Sequence, residues 1–155
     1  MKALTTLVLG GLLSSQVWAA DVEVTDPYAR AVPPGQPNSA AFMQLQNRGE
    51  DTLTLIGASS DVAKAVELHT HTQDQGVMRM RRIDAIELPP HHTVSLQPGG
   101  LHVMMIGLNR GLSEGDEISL SLSYSDGSEQ TLTVPVRAVM PAGHGGNGMK
   151  KMGQQ

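Results

Sequence analysis

Apolar and polar residues alternate over short stretches along most of the chain. In "EISLSLSY" (117–124), Ile118, Leu120, Leu122 and Tyr124 fall on one side; in "QTLTVPV" (130–136), Leu132, Val134 and Val136 do the same. A period of two marks a half-buried strand. Asp126-Gly127 between the two stretches predicts a hairpin turn. Further strands are predicted at "VEVTDPYAR", "SAAFMQLQN", "DTLTLIGASS", "KAVELHTH", "VMRMRRI", "TVSLQ" and "LHVMMIGL". The breaks "PPGQPN", "NRGED", "PPHH" and "QPGG" are turn formers. No stretch sustains a helical period. Many short strands with Gly/Pro punctuation predict an all-β antiparallel sandwich or small barrel. Phe42 and Met43 read as core, and His91 and His92 as residues of a surface loop.

Both ends depart from this pattern. Lys2, the apolar run "ALTTLVLGGLL" and "VWA" ending at Ala19 have the three regions of a secretory signal peptide over residues 1–19, with cleavage after 19 or 20. The run is too short for a membrane span, and no cysteine follows it to carry a lipid. Residues 20–138 form the expected domain. Residues 139–155, "VMPAGHGGNGMKKMGQQ", are rich in glycine and poor in apolar bulk, which predicts a flexible tail. A soluble, periplasmic protein with no membrane insertion after cleavage is expected, and a monomer.

Composition narrows the chemistry. The chain has 155 residues, a net charge of −4 and no basic run, so nucleic acid is not an expected partner. It has no cysteine, which excludes thiolate nucleophiles and zinc-thiolate or blue-copper centres. It has six histidines and nine methionines. No Ser/His/Asp order, paired-carboxylate site or phosphate loop stands out, so a binding protein is expected rather than an enzyme.

The stretch "HTHTQDQGVMRM" (69–80) concentrates that chemistry. With Gln73–Gly76 as a four-residue hairpin loop, His71 faces Met78, His69 faces Met80 and Glu67 faces Arg82. All six then share one side of the hairpin. Val66 and Leu68 take the core side, opposite Ile83 and Arg81, which leaves Arg79 and Arg81 awkwardly inward. Core packing is the ordinary fate of such methionines. Downstream, "GGLHVMMIGL" puts His102 and Met104 on one strand face and Leu101, Val103 and Met105 on the other.

His69, ten residues, Met80, twenty-one residues, His102, one residue, Met104 is a spacing that resembles the copper-binding signature of the periplasmic copper chaperones called PCuAC. "ELHTH", "GVMRMR" and "PGGLHVMMIGL" are similar too, over residues 22–138. The resemblance implies a cupredoxin-like Greek-key β-sandwich holding one Cu(I) through His69, Met80, His102 and Met104. It also implies delivery to the binuclear copper centre of cytochrome c oxidase, with a Sco-like protein as a further partner. Thioether sulfur and imidazole suit Cu(I), whereas Mg²⁺ and Ca²⁺ want oxygen. His71 and Met78 stand as auxiliary ligands or as rim residues. His144, Met149 and Met152 in the tail offer a second site, for Cu(II), the alternative being a solubilising tail. Storage or resistance, a β-sandwich interaction module with incidental His and Met, and a copper redox enzyme are the other readings.

Overall fold

A computed structural model describes residues 20–139. The expected signal peptide (1–19) and nearly all of the expected tail, with His144, Met149 and Met152, lie outside the described residues. Ten strands follow one another: β1 (Val22–Arg30), β2 (Asn38–Asn47), β3 (Leu53–Ser59), β4 (Ala63–Asp74), β5 (Val77–Ile83), β6 (Ile86–Leu88), β7 (Thr93–Leu96), β8 (His102–Leu108), β9 (Glu117–Tyr124) and β10 (Glu129–Arg137). No helix occurs among the described residues. The all-β expectation holds, with strands near the predicted positions. β6 was not foreseen: three residues are too few to show a period.

The strands pair in the order β5-β4-β8-β2-β1-β10-β9-β3-β6, with β7 on β2. The ladders are antiparallel except where β1 meets β10. There Ala29 pairs with Val136 and Arg30 with Arg137 in parallel, so the sheet is mixed. β3 also packs beside β4, and β6 beside β2. The two halves thus enclose one core, built from Met43 and Leu45 of β2, Val103 and Met105 of β8, Leu55 of β3, Leu120, Leu122 and Tyr124 of β9, and Val134 of β10. The predicted β9–β10 hairpin forms with Leu132 opposite Leu120 and Val134 opposite Ile118.

The β4–β5 hairpin differs from expectation in register. Asp74 pairs with Val77, leaving only Gln75 and Gly76 in the turn. Both have positive φ, 51° and 79°, the conformation of a two-residue type I′ turn, whose twist matches that of the strands. The ladder consequently pairs His69 with Arg82, His71 with Met80 and Gln73 with Met78. The expected pairings of His69 with Met80, His71 with Met78 and Glu67 with Arg82 are therefore corrected: His69 and His71 each meet a partner two positions further on, and Glu67 lies beyond the end of this ladder. A two-residue change preserves the face, because side chains alternate with a period of two. It leaves Arg79 and Arg81 on the side of Leu68 and Ile83, where they stay exposed because β5 is the edge strand, beyond the cover of the core. Leu68, not Val66, faces Ile83, and Arg81 and Arg79 lie opposite Thr70 and Thr72. β5 is exposed throughout except at half-buried Ile83.

Candidate metal centre

The outer face of the β5-β4-β8 half carries the candidate ligands. His69 pairs with His102, and Glu67 with Met104, across β4 and β8. Paired residues project to the same side. Glu67, His69, His71, Met78, Met80, His102 and Met104 therefore share one face, opposite the core face of Leu68, Val103 and Met105. His69 occupies the middle of the expected set. His102 is its direct cross-strand neighbour, while Met80 and Met104 are diagonal to it. Diagonal neighbours on a sheet lie roughly 7–8 Å apart, within reach of long side chains.

His102 is 2% exposed, although it lies on the outer face. Aromatic rings surround it: the centroids of His71, His69 and Phe42 stand 5.2, 5.8 and 6.2 Å away. Phe42 is buried as expected, but it also floors this site. Burial makes the imidazolium form costly and lowers the His102 pKa below its usual 6.5, against the raising effect of its bond to Gly100.

Each imidazole is held at one nitrogen. His69 Nε2–H donates to Glu67 Oε2 at 2.8 Å, since a carboxylate only accepts. That hydrogen bond, ahead of the charges of Arg82 and His69, holds the Glu67 carboxyl below its usual range despite an opposing effect of burial. Arg82 approaches the other oxygen at 3.6 Å. His69 Nδ1 is then left as a bare lone pair, buried and without a hydrogen-bond partner. His102 Nδ1–H donates to the Gly100 carbonyl at 3.0 Å, leaving Nε2 free. His71 Nδ1 reaches the same carbonyl at 3.4 Å.

This is how a ligating histidine is commonly prepared: one ring nitrogen anchored to a carboxylate or carbonyl, the other unprotonated. Among the described residues, no three His, Cys, Asp or Glu side chains are grouped to hold an ion. A metal bound here would have to draw on thioether sulfur, and Met80 and Met104 are the neighbours able to supply it. Met80 is 46% exposed and Met78 55%, so the sulfur side of the site opens to solvent while its imidazole side is closed.

The structure thus brings His69, Met80, His102 and Met104 onto one patch of sheet. His71 stands closer than expected, directly opposite Met80. Met78 lies one rung nearer the turn, opposite Gln73. The reading of the sequence placed Glu67 on this face opposite Arg82 but not as the anchor of His69, and it missed the Gly100 carbonyl. Glu67 had a legible signal, as it stands two positions before His69 on the same strand face; a backbone carbonyl has none. His91 lies in a loop with φ of 60° and places Nε2 3.3 Å from Glu50, both exposed, away from any methionine pair.

The comparisons agree with this architecture. The copper-bound PCuAC domain from PmoF2 superposes with a TM-score of 0.66 at 25% identity, covering 79% of this chain and 97% of that one. The solution structure of CuI-DR1885 from Deinococcus radiodurans gives a TM-score of 0.60 at 30% identity, covering 79% and 81%. In sequence, the chain is 34% identical over 120 residues to "Putative lipoprotein Lxx21020" of Leifsonia xyli subsp. xyli, covering 77% of this chain and 71% of that protein. The family model described as "Putative lipoprotein LpqE-like" matches residues 22–136. Fold and sequence together show that this chain belongs to the LpqE-like family and that its domain has the PCuAC architecture.

Proposed function

We propose that this protein is an exported, periplasmic copper carrier and not an enzyme. It binds one Cu(I) through His69, Met80, His102 and Met104 and passes it to the binuclear copper centre of cytochrome c oxidase, with a Sco-like protein as the other candidate recipient. One observation carries the reading: the buried, partnerless Nδ1 of His69, its opposite nitrogen fixed by Glu67, on the face that bears both methionines. The likeness to copper-bound PmoF2 and Cu(I)-bound DR1885 supports the choice of ion.

The four ligands are neutral, so the bound ion keeps its single charge. Thioethers select the soft reduced ion without the grip of thiolates, which suits a carrier that must release its cargo. Titrating the reduced protein with Cu(I) against a colorimetric chelator tests the assignment. The wild type should show one tight site, lost or weakened at least tenfold in Met80→Ala and in His102→Ala. Equal binding in all three proteins would leave only a β-sandwich interaction module. Incubation with an apo copper domain of the oxidase then separates delivery from storage, since a storage protein keeps its metal. Removal of residues 139–155 tests the tail: loss of a second copper, bound as Cu(II), assigns it to His144, Met149 and Met152.

A further inference from the structure

β5 ends the sheet, so one of its backbone edges has no strand partner among the described residues. It also carries Val77, Met78 and Met80, three of the four large apolar side chains that stand exposed among the described residues. Arg82 shares the face of Met78 and Met80, while Arg79 and Arg81 project with Val77 from the reverse face, so both sides of this edge carry cations, three of the chain's seven arginines within four positions, in a molecule whose net charge is −4. Their local pairing is loose. Arg79 meets Asp74 at 3.7 Å, both exposed, and exposed Arg82 meets half-buried Glu67 at 3.6 Å. Arg81 has no carboxylate within 4.0 Å among the described residues.

We propose that the β4–β5 hairpin is the docking element for the copper acceptor, and that the acceptor is a protein with an acidic surface around its own metal-receiving ligands. The proposal rests on the carrier reading and names the partner's chemistry. Met80 is exposed, whereas His71 opposite it and His69 are half-buried and His102 is buried, so an incoming ligand reaches the cargo from the hairpin side. Exposed methionine beside arginine is the composition of a protein interface, and the cationic rim complements acidic residues. A second copy of this chain fits the edge poorly, because β5 against β5 would align arginine with arginine. Arginines on an edge strand also discourage aggregation, but that role alone predicts no discrimination between acceptors.

The test compares Cu(I) transfer, followed by stopped-flow absorption of the copper-thiolate product, to two synthetic peptides. Both carry the same Cys-Xaa-Xaa-Cys acceptor, flanked in one by glutamates and in the other by lysines. At low salt the loaded wild type should deliver to the glutamate peptide at least ~10-fold faster, through electrostatic steering. The preference should shrink at high salt and vanish in the double variant Arg79→Glu, Arg81→Glu, whose Cu(I) affinity against the chelator stays that of the wild type. Equal rates to both peptides, or a preference that survives in the variant, would overturn the proposal. So would binding of the wild type, but not the variant, to phosphatidylglycerol vesicles without peptide discrimination, which would reassign the arginines to a lipid surface. A wild type that takes up no Cu(I) before any acceptor is added fails the carrier reading itself, and this proposal with it.

Discussion

At the scale of single residues, the candidate site depends on which ring nitrogen keeps its proton. Glu67 holds that proton on His69 Nε2, and Gly100 holds one on His102 Nδ1. Glu67→Gln preserves size but can present an amide N–H to the ring, so it weakens the tautomer preference. We expect Cu(I) affinity to fall about 10–100-fold, the usual effect of removing such an anchor, with the apo protein's melting temperature nearly unchanged because glutamine keeps the size of this half-buried side chain and can still bond the ring. Chelator competition and a thermal melt on the same sample check both halves. Away from the site, Ser128 sets the ionisation of Asp126. Its hydroxyl and then its backbone N–H donate to the carboxylate and hold the Asp126 pKa below the usual 3.8. A depressed carboxylate stabilises the fold above its unfolded value, and that contribution is lost as pH falls through the folded one. Ser128→Ala should therefore lower the melting temperature at neutral pH. The deficit should close under acid conditions below pH 3.8, read from melts across a pH series; a constant deficit would assign the effect to packing instead. The candidate ligands stood out in the sequence because few side chains offer imidazole or thioether and the spacing of these four is distinctive. The anchors were less so, since a glutamate or a carbonyl acquires its role only from what it touches.

At the scale of elements, the β4–β5 hairpin decides what meets what. Its turn needs two consecutive left-handed residues, Gln75 and Gly76. Glycine adopts that conformation freely; other residues pay about 1–2 kcal/mol. Inserting one glycine between Gln75 and Gly76 should shift β5 against β4 and rotate Met80 to the opposite face. The expected result is a folded protein, by circular dichroism, whose Cu(I) affinity drops as far as that of Met80→Ala. Retained affinity would mean that the loop absorbs the insertion as a bulge. Strand positions were readable from the period of two, and "VMRMRRI" and "EISLSLSY" coincide with β5 and β9. Register was not. Gln73–Gly76 and Gln75–Gly76 both contain a glycine and both keep the histidines and methionines on one side, so the pattern does not distinguish them. The geometry of the turn does.

At the scale of the whole molecule, the site is carried on the back of a core that it does not enter. Leu122 has no exposed surface and belongs to β9, in the half of the sheet remote from the candidate ligands. Leu122→Ala should cost about 2–5 kcal/mol, the range for a buried leucine truncated in a packed core. Below the melting transition the Cu(I) affinity should stay within a few-fold of the wild type. Urea denaturation and chelator competition measure the two effects independently. The all-β class was legible from alternation. The parallel contact of β1 with β10 was not, because it joins segments at the two ends of the described chain and no local pattern encodes a distant partner.

That contact bears on the order in which the molecule assembles. The β4–β5 hairpin closes through a two-residue turn, an event of microseconds. The pairing of Ala29 with Val136 must wait for the last strand, and folds dominated by such distant pairings take milliseconds to seconds. His71 and Met80 can therefore meet repeatedly, in a hairpin that is marginal on its own, before the domain is sealed, while His102 joins them only when β8 docks. An ion captured in that interval would be held by an incomplete set of ligands, and the finished fold would inherit it rather than select it.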